Sequence, residues 1–220
     1  MSERRVVFFD VGNTLLFPNR SRMLAPIASD RHPTLEQWQA LERKTKTEFD
    51  QSLQTGRMDH SFWWIFHTYL LQHLGEEATI RDVLVENTQN SGNWDQILPG
   101  TRDALRRIGR SFRIAVISNA DGRIHQVLSR CGIADCFRSI TDSGVIGVEK
   151  PRREIFEAAL RAMNVRPEES VYVGDVYSVD YLGARNAGMD AVLFDVAGAY
   201  RDRDLPRVES LEQLECWLQS

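Results

Sequence analysis

A short apolar run near the start of the chain, Val6-Val7-Phe8-Phe9, ends at the carboxylate of Asp10 and is followed by a glycine-led turn. The run is too short to span a membrane and is typical of a buried strand in a parallel sheet. Ligands of open α/β sheets bind at the carboxyl ends of the strands. Asp10 is therefore predicted to lie at a strand tip, where a nucleophile would be placed.

Three further segments carry signals of the same kind. They are Val116-Ile117-Ser118-Asn119, Glu149-Lys150-Pro151, and Val173-Gly174-Asp175 followed by Asp180. In chain order, the four segments supply a carboxylate, a hydroxyl with an amide, a lysine and a final acidic pair. Such a set could handle a phosphoryl group together with Mg²⁺.

Strand and helix signals alternate from about Pro99 onward, which predicts a parallel, doubly wound sheet. Helices are expected between the strands, with a last helix near 209–219. The five predicted strands lie near 5–10, 112–118, 137–141, 170–174 and 190–194.

Between Phe17 and roughly Leu98 the signals are purely helical, which is typical of an inserted domain. Thr34 and Gln37 have the spacing of a capping box, and apolar residues then recur every three or four positions. A second aromatic-rich helix is expected to end at Gly75. The crossings into and out of this segment are short, which favours a hinge over a loose tether.

At these residues the chain resembles the haloacid dehalogenase-like (HAD) hydrolases, a superfamily consisting mostly of Mg²⁺-dependent phosphatases. Asp10, Asn13 and Thr14 fit the first family motif, Asp-x-Asp-x-Thr, but Gly12 replaces its second aspartate. Ser118, Lys150 before Pro151, and Asp175 with Asp180 match the second, third and fourth motifs in order. The resemblance implies a Rossmann-like core over residues 1–16 and 97–220, with a helical cap over 17–96 that closes over the active site.

The family's functional residues transfer to this chain position by position. Asp10 would be the nucleophile, and the resemblance implies that Lys150 neutralises charge on Asp10 and the phosphoryl oxygens. Ser118 and Asn119 would present a hydroxyl and backbone N–H groups to phosphate, together with Lys150. The implied Mg²⁺ ligands are Asp10, the backbone carbonyl of Gly12, Asp175 and Asp180, which suit a cation that prefers oxygen.

Gly12 is the most consequential departure from the family pattern. The aspartate at this position in the family's phosphatases protonates the leaving group and then activates water, and such acid/base help is typically worth about 10²–10⁴ in rate. The sequence therefore favours a hydrolase of a small phosphorylated substrate with weakened acid/base catalysis. A substituted side chain at position 12 would also disturb the turn if the turn relies on the freedom of glycine at positive φ.

Two other classes of function remain open. Family members that dispense with the second aspartate include dehalogenases, which need no Mg²⁺ and are disfavoured here by the retained Asp175 and Asp180. Phosphonate-cleaving members use a cap lysine as a Schiff base, and Lys44 or Lys46 would have to face the site. Both lysines lie on an amphipathic helix, and we expect them to be exposed to solvent. These two reactions make up the first of the two classes, and the second class is a catalytically idle protein that only binds metal and phosphate.

Composition excludes little, but it narrows the class of partner. The 220 residues carry a formal net charge of −4 with 42% hydrophobic residues, which gives no support to a nucleic-acid or anionic-membrane surface. No signal-peptide pattern precedes the first strand, and we expect a cytoplasmic protein that acts on a small molecule. The three cysteines suggest neither a zinc site nor a disulfide framework.

The aromatic residues and histidines of the helical segment are expected to be structural. A domain of about 80 residues needs its aromatic side chains to bury a face, so Trp63 and Trp64 are predicted to be core residues. His60, His67 and His73 show no metal-ligand spacing. We expect them to be ordinary surface or packing residues.

Overall fold

A parallel sheet forms the centre of the protein. The computed structural model describes residues 4–56 and 61–220. Its strands are β1 (Val6–Phe9), β2 (Leu16–Pro18), β3 (Trp94–Ile97), β4 (Arg113–Ser118), β5 (Ile140–Asp142), β6 (Ser170–Gly174), β7 (Asp190–Phe194) and β8 (Arg207–Val208). Six of them form one sheet in the order β5-β4-β1-β6-β7-β8, in which every neighbouring pair is parallel.

The predicted doubly wound α/β class is confirmed, but the expected number of strands, five, was one too low. The additional strand, β8, contains only Arg207 and Val208 and pairs with the end of β7. A strand of two residues shows no recognisable alternation of apolar and polar side chains, because such alternation becomes visible only over about four positions.

Helices that follow β3 in the chain cover both faces of the sheet, whereas the helices between β2 and β3 form a separate group. In chain order, the helices are α1 (Arg20–Met23), α2 (Leu35–Thr55), α3 (Phe62–Leu74), α4 (Arg81–Gln89), α5 (Thr101–Ser111), α6 (Ile124–Arg130), α7 (Ser143–Ile146), α8 (Arg153–Met163), α9 (Leu182–Asn186) and α10 (Leu211–Gln219). Successive side chains of β1 point to opposite faces. Val7 and Phe9 therefore join one core cluster with α5, α6 and α10, whereas Val6 and Phe8 join another with α8 and α9.

The helices α2 to α4 have a smaller core of their own, built around Trp38, Phe66, Leu70 and Leu84. The predicted capping box at Thr34 is confirmed, since its hydroxyl accepts from the Gln37 N–H and the Gln37 side chain accepts from the Thr34 N–H. The expected end of α3 at Gly75, in left-handed conformation, is also confirmed.

The expectation that residues 17–98 are purely helical was wrong at both ends. β2 and β3 pair antiparallel and form a two-stranded ribbon where the chain leaves and re-enters the sheet domain. Each strand is only three or four residues long, and the polar pair Asp95 and Gln96 in β3 hides its strand character. The ribbon places Trp94 directly beside the turn that follows β1.

None of the helices in the described ranges combines the length and apolarity needed to cross a lipid bilayer.

Candidate active site

The carboxyl ends of β1, β4 and β6 bring the predicted site residues to one edge of the sheet. β1 is the middle strand of the three, with Phe9 paired to Val116 of β4 and to Val173 of β6. The Asp10 N–H extends the ladder by donating to the Val173 carbonyl at 2.8 Å. This register places Asp10 between Ser118, which ends β4, and Asp175, which follows β6.

Lys150 lies at the centre of this edge. Its Nζ donates to Asp10 Oδ1 at 2.6 Å and to Asp180 Oδ1 at 2.8 Å, and it also donates to the Tyr172 hydroxyl at 2.7 Å. The lysine side chain is only 2% exposed. A buried ammonium with three acceptors has a fixed position, so Lys150 fixes the geometry of Asp10.

Tyr172 is a site residue that the sequence analysis missed. It is fully buried in β6, accepts from Lys150, and is within donating distance of the Ile117 carbonyl and of Asp180 Oδ1, both at 3.1 Å. A polar aromatic residue between Val171 and Val173 in a buried strand was the available signal, because a buried tyrosine hydroxyl requires a partner.

Asp180 organises the loop that follows β6. Its Oδ2 accepts from the N–H groups of Asp175 at 3.1 Å and Val176 at 2.9 Å, while its Oδ1 accepts from Lys150 and Tyr172. Asp180 sits in a π-helical turn, Tyr177–Tyr181, a form that is frequent at functional sites. Gly174 permits the close approach, since a Cβ there would lie 2.5 Å from Asp180 Cγ.

Burial of several carboxylates changes their acidity. Desolvation raises the pKa of Asp10 to about 6, with repulsion from Asp180 adding to the rise and Lys150 opposing it. Desolvation likewise raises the pKa of Asp175 to about 7, against the attraction of Lys46. Burial alone would lower the pKa of Lys150, but the attraction of Asp10 and Asp180 outweighs burial and raises it. An additional cation would therefore stabilise this cluster of buried carboxylates.

Lys46 faces this site, contrary to the expectation that it is solvent-exposed. Its side chain is 1% exposed, and its Nζ lies 2.9 Å from Asp175 Oδ2 and 2.8 Å from Glu42 Oε1. The expectation holds for Lys44, which is exposed and lies over the ring of Tyr69. Helical periodicity alone did not reveal that α2 has a second buried stripe beside its apolar one.

A second pair of contacts from α2 reaches the same loop. The buried carboxylate of Asp50 accepts from the Ser178 N–H at 3.0 Å and from the Tyr200 hydroxyl at 3.0 Å. The Tyr200 hydroxyl in turn accepts from the Tyr177 N–H. Because a buried carboxylate without donors is costly, these bonds hold α2 against the loop that carries Asp175 and Asp180.

The three aspartates have the arrangement of a cation site. One carboxylate oxygen from each of Asp10, Asp175 and Asp180 can be chosen so that all lie within 4.8 Å of one another. Asp175 Oδ2 is buried and accepts no hydrogen bond, although it is ion-paired with Lys46. An all-oxygen donor set in which one buried carboxylate oxygen accepts no hydrogen bond fits Mg²⁺. Gly12, whose carbonyl is the fourth predicted ligand, lines the same cavity.

The residues predicted to bind phosphate are also beside Lys150. Ser118 is buried and lines the cavity. The Asn119 side chain pairs with the backbone of Lys150, donating to its carbonyl at 3.0 Å and accepting from its N–H at 2.8 Å. The Asn119 amide therefore positions Lys150, and its contribution to phosphate binding is left to the backbone.

A cavity of about 580 Å³ opens over Asp10 and Lys150. Trp63 and Trp94 line it, while Trp64 instead lies beneath the guanidinium of Arg81. Trp63 also packs against two core clusters, so it is both a core residue and a cavity residue.

The histidines differ in their surroundings. His67 is fully buried and packs against Phe66, whereas His73 is exposed. His60 lies outside the described residues.

The order of the parallel strands is that of a Rossmann-like α/β fold, and the acidic group lies at the carboxyl edge of the sheet, where such folds bind their ligands. The chain belongs to the haloacid dehalogenase-like hydrolase family, whose sequence model matches residues 4–188. The structure brings together Asp10, Lys150, Asp175 and Asp180, and their catalytic roles stay predictions.

Two curated relatives illustrate the similarity. Human haloacid dehalogenase-like hydrolase domain-containing protein 3 is 35% identical over 138 residues, which are 60% of this chain and 55% of that protein. The chain thus spans about half the length of this relative. Glyceraldehyde 3-phosphate phosphatase of Pyrococcus furiosus is 29% identical over 212 residues, covering 93% of this chain and 86% of that protein.

Solved structures share the fold over the whole chain. The HAD-hydrolase YfnB from Bacillus subtilis, bound to magnesium, has a TM-score of 0.73 at 20% identity and covers 100% of both chains. L-2-haloacid dehalogenase from Xanthobacter autotrophicus has a TM-score of 0.62 at 18% identity and covers 99% of both chains. At these identities the likeness concerns the fold alone.

Proposed function

We propose that the protein is a Mg²⁺-dependent phosphatase of small phosphate monoesters, with Asp10 as the nucleophile. The observation that carries the proposal is the contact of Asp10 with Lys150 at 2.6 Å, within reach of Asp175 and Asp180. Lys150 orients one oxygen of Asp10, and the other oxygen would attack phosphorus. The glyceraldehyde 3-phosphate phosphatases among the relatives support a phosphate monoester as the substrate.

The residues of the site would have the following roles in catalysis. Asp10 attacks phosphorus and forms an aspartyl-phosphate as the ester P–O bond breaks and the alcohol leaves with a proton from water. Water then hydrolyses the aspartyl-phosphate, which releases inorganic phosphate and restores the carboxylate, so that one difficult displacement becomes two easier ones. Lys150 compensates the negative charge that develops on the phosphoryl oxygens in a water-poor site. Asp10, Asp175, Asp180 and the Gly12 carbonyl would hold Mg²⁺, which would polarise the phosphoryl group when bound.

Gly12 limits the rate of this reaction. No side chain at this position can protonate the leaving group or activate water for hydrolysis of the intermediate. Turnover is therefore expected to be slower than in family phosphatases that retain the aspartate, by up to about 10²–10⁴. Activated esters would lose least, because their leaving groups depart without a proton.

Residues 17–96 are proposed to act as a cap, with the core formed by 1–16 and 97–220. The contacts of Lys46 with Asp175 and of Asp50 with Ser178 connect α2 to the catalytic edge. The antiparallel ribbon of β2 and β3 joins both crossings and so would guide the motion of the helical segment as one unit.

Phosphate release and trapping of the intermediate test the proposal. Wild type should release phosphate from p-nitrophenyl phosphate only with Mg²⁺, and acid quenching should leave a protein-bound phosphoryl group that hydroxylamine removes. Asp10→Asn should abolish both signals with the fold intact, whereas the matched control Asp82→Asn, on the exposed face of α4, should keep both. Residual wild-type turnover in Asp10→Asn would exclude Asp10 as nucleophile.

The position of Lys46 makes phosphonate cleavage the second candidate. A Schiff-base lysine must lose its proton, but Asp175 and Glu42 outweigh burial and hold the pKa of Lys46 well above its usual value. The retained ammonium argues against this chemistry. Borohydride reduction in the presence of a carbonyl-bearing phosphonate tests it, since a stable adduct on Lys46 would favour this candidate over the phosphatase.

A further inference from the structure

We infer that the site takes phosphate monoesters whose alcohol is apolar and carries an aromatic ring, in preference to polyhydroxylated alcohols. The inference rests on the proposed phosphatase function and concerns the part of the cavity beyond Asp10. The shape and chemistry of the walls there carry the argument.

One wall of the cavity is a continuous row of aromatic rings. Phe49 of α2 contacts Phe62 with ring centroids 5.4 Å apart, Phe62 contacts Trp63 at 4.9 Å, and Trp63 contacts Trp94 at 5.4 Å. All four residues line the cavity. A ring entering this row would find edge and face partners at the distances that aromatic pairs prefer.

The row begins at the nucleophile turn. A Cβ placed on Gly12 would lie 3.4 Å from Cζ3 of Trp94, so the indole covers the direction in which a side chain at position 12 would extend. The Trp94 N–H already donates to the Thr88 carbonyl at 2.7 Å. The ring therefore offers the leaving group an apolar surface where a phosphatase of the usual pattern has a carboxylate.

Two of the polar side chains that line the cavity are already hydrogen-bonded within the protein. The Thr88 hydroxyl donates to the Leu84 carbonyl and contacts His67, and the Asn119 amide is bonded to the backbone of Lys150. A polyhydroxylated alcohol would lose hydration against the aromatic row, whose ring faces offer its hydroxyls no equivalent replacement. An apolar ring instead gains free energy by leaving water for these faces.

The charges of the lining oppose a second anionic group on the substrate. Lys150 is the only cation among the described lining residues, and it is already bound to Asp10 and Asp180. Glu149 adds a carboxylate away from the metal ligands, whereas the carboxylate of Asp121 is paired with Arg123. A bisphosphate or a phosphorylated acid would therefore bring its second anionic group to a wall where the described lining residues provide no unpaired cation.

The test compares two esters with leaving groups of similar basicity, so that the missing acid at Gly12 affects both equally. We expect kcat/KM for benzyl phosphate to exceed that for glycerol 1-phosphate at least tenfold, with glyceraldehyde 3-phosphate also below benzyl phosphate. Equal values or the reverse order would overturn the inference while leaving the phosphatase proposal in place, provided that Asp10→Asn abolishes both activities.

A binding measurement keeps the inference testable without turnover. Benzylphosphonate should bind the Mg²⁺-loaded wild type at least tenfold more tightly than methylphosphonate, as measured by calorimetry. Equal affinities would overturn the inference. A clear preference combined with no hydrolysis of any ester would contradict the phosphatase proposal alone.

Shortening one side chain of the aromatic row tests whether the row determines the preference for aromatic esters. Phe62→Ala should raise KM for benzyl phosphate about tenfold and change KM for glycerol 1-phosphate less than twofold. If the alanine variant does not fold, Phe62→Leu replaces it and should raise KM for benzyl phosphate by a smaller factor. Val83→Ala, at a 48% exposed position on α4, is the matched control and should change neither. Equal effects of Phe62→Ala on both esters would count against the row as the specificity element.

Discussion

Lys46 Nζ lies 2.9 Å from Asp175 Oδ2, which joins a helix of the N-terminal helical segment to the acidic edge of the sheet. The lysine also pairs with Glu42 one helical turn earlier. Two buried carboxylates thus share one ammonium, and the arrangement depends on that cation being present. The contact supplies positive charge at the place where Mg²⁺ is proposed to bind.

Replacing Lys46 by methionine should destabilise the Mg²⁺-free protein. Removing one partner of a buried ion pair typically costs about 3–5 kcal/mol, because the other charge is left uncompensated. A loss of about 3 kcal/mol corresponds to a decrease in Tm of roughly 6–12 °C for a chain of this size. Differential scanning calorimetry with and without Mg²⁺ measures the effect, and Mg²⁺ should raise the Tm of Lys46→Met by more than that of wild type.

Lys44→Met is the matched control on the same helix. Lys44 is exposed and lies over the Tyr69 ring, so its replacement should change the Tm by no more than about 1–2 °C at the few tenths of a kcal/mol usual for surface changes. Equal destabilisation by both variants would show that the ion pair with Asp175 contributes no net stability.

Asp175 and Asp180 should respond differently to loss of charge. Asp175 Oδ2 accepts no hydrogen bond, whereas both oxygens of Asp180 accept from protein donors. Asp175→Asn should therefore remove the Mg²⁺-induced rise in Tm, and Asp180→Asn should lower the Tm even without Mg²⁺. Thermal shift with Mg²⁺ titration distinguishes the two effects. An unchanged Mg²⁺ response in Asp175→Asn would contradict the proposed metal site.

The positions of Asp10, Lys150 and Asp175 could be anticipated because each follows or adjoins a strand end, and parallel strands bring their carboxyl ends together. Lys46 could not be placed in this way. Glu42, Lys46 and Asp50 recur every four residues, a pattern that also describes a solvent-exposed face with ion pairs. Only the packing of α2 against the loop after β6 decides that this stripe is buried.

The turn after β1 is a second feature that the sequence alone did not reveal. Glycine was expected to serve there through positive φ, but Asn13 is the residue with positive φ, at 53°, and Gly12 is not. Asparagine tolerates this region better than most residues. What distinguishes Gly12 is the neighbouring Trp94 ring, which is 82 positions away in the sequence and is brought close only by the pairing of β2 with β3.

His67 should make the protein sensitive to acid. The Thr88 hydroxyl donates to the Leu84 carbonyl, so it accepts from Nε2–H of the imidazole, and Nδ1 is left buried without a partner. Desolvation lowers the pKa of His67 to about 3 from an ordinary value of 6.5. The unfolded chain therefore binds more protons between these values, and stability decreases as the pH falls through this window, by at most about 1.4 kcal/mol per pH unit from this residue.

His67→Gln tests this because glutamine can still donate to Thr88 and does not titrate. Urea unfolding at pH 7 and pH 5 should show a smaller loss of unfolding free energy on acidification in His67→Gln than in wild type. His73→Gln, at an exposed position of the same helix, should behave as wild type. Identical pH dependence of wild type and His67→Gln would mean that His67 is protonated in the folded protein without cost.

Restoring the family residue as Gly12→Asp should raise turnover of benzyl phosphate and glycerol 1-phosphate by more than that of p-nitrophenyl phosphate. A poor leaving group needs a proton in the transition state, whereas nitrophenolate departs without one and gains only through faster hydrolysis of the intermediate. The backbone at Gly12 accepts a side chain, since its φ is not positive and a Cβ would be in ordinary contact with Trp94.

The new carboxylate must share space with the indole, so the gain should be larger in Gly12→Asp combined with Trp94→Leu than in the single variant. Gly12→Ala separates the two effects, because it adds the Cβ contact at 3.4 Å without the acid. Steady-state kinetics on the three esters gives the comparison, with Mg²⁺-dependent Tm as the check on folding. If the double variant folds and binds Mg²⁺ but shows no gain on any ester, protonation of the leaving group does not limit the reaction. That result would favour a different chemistry at Asp10.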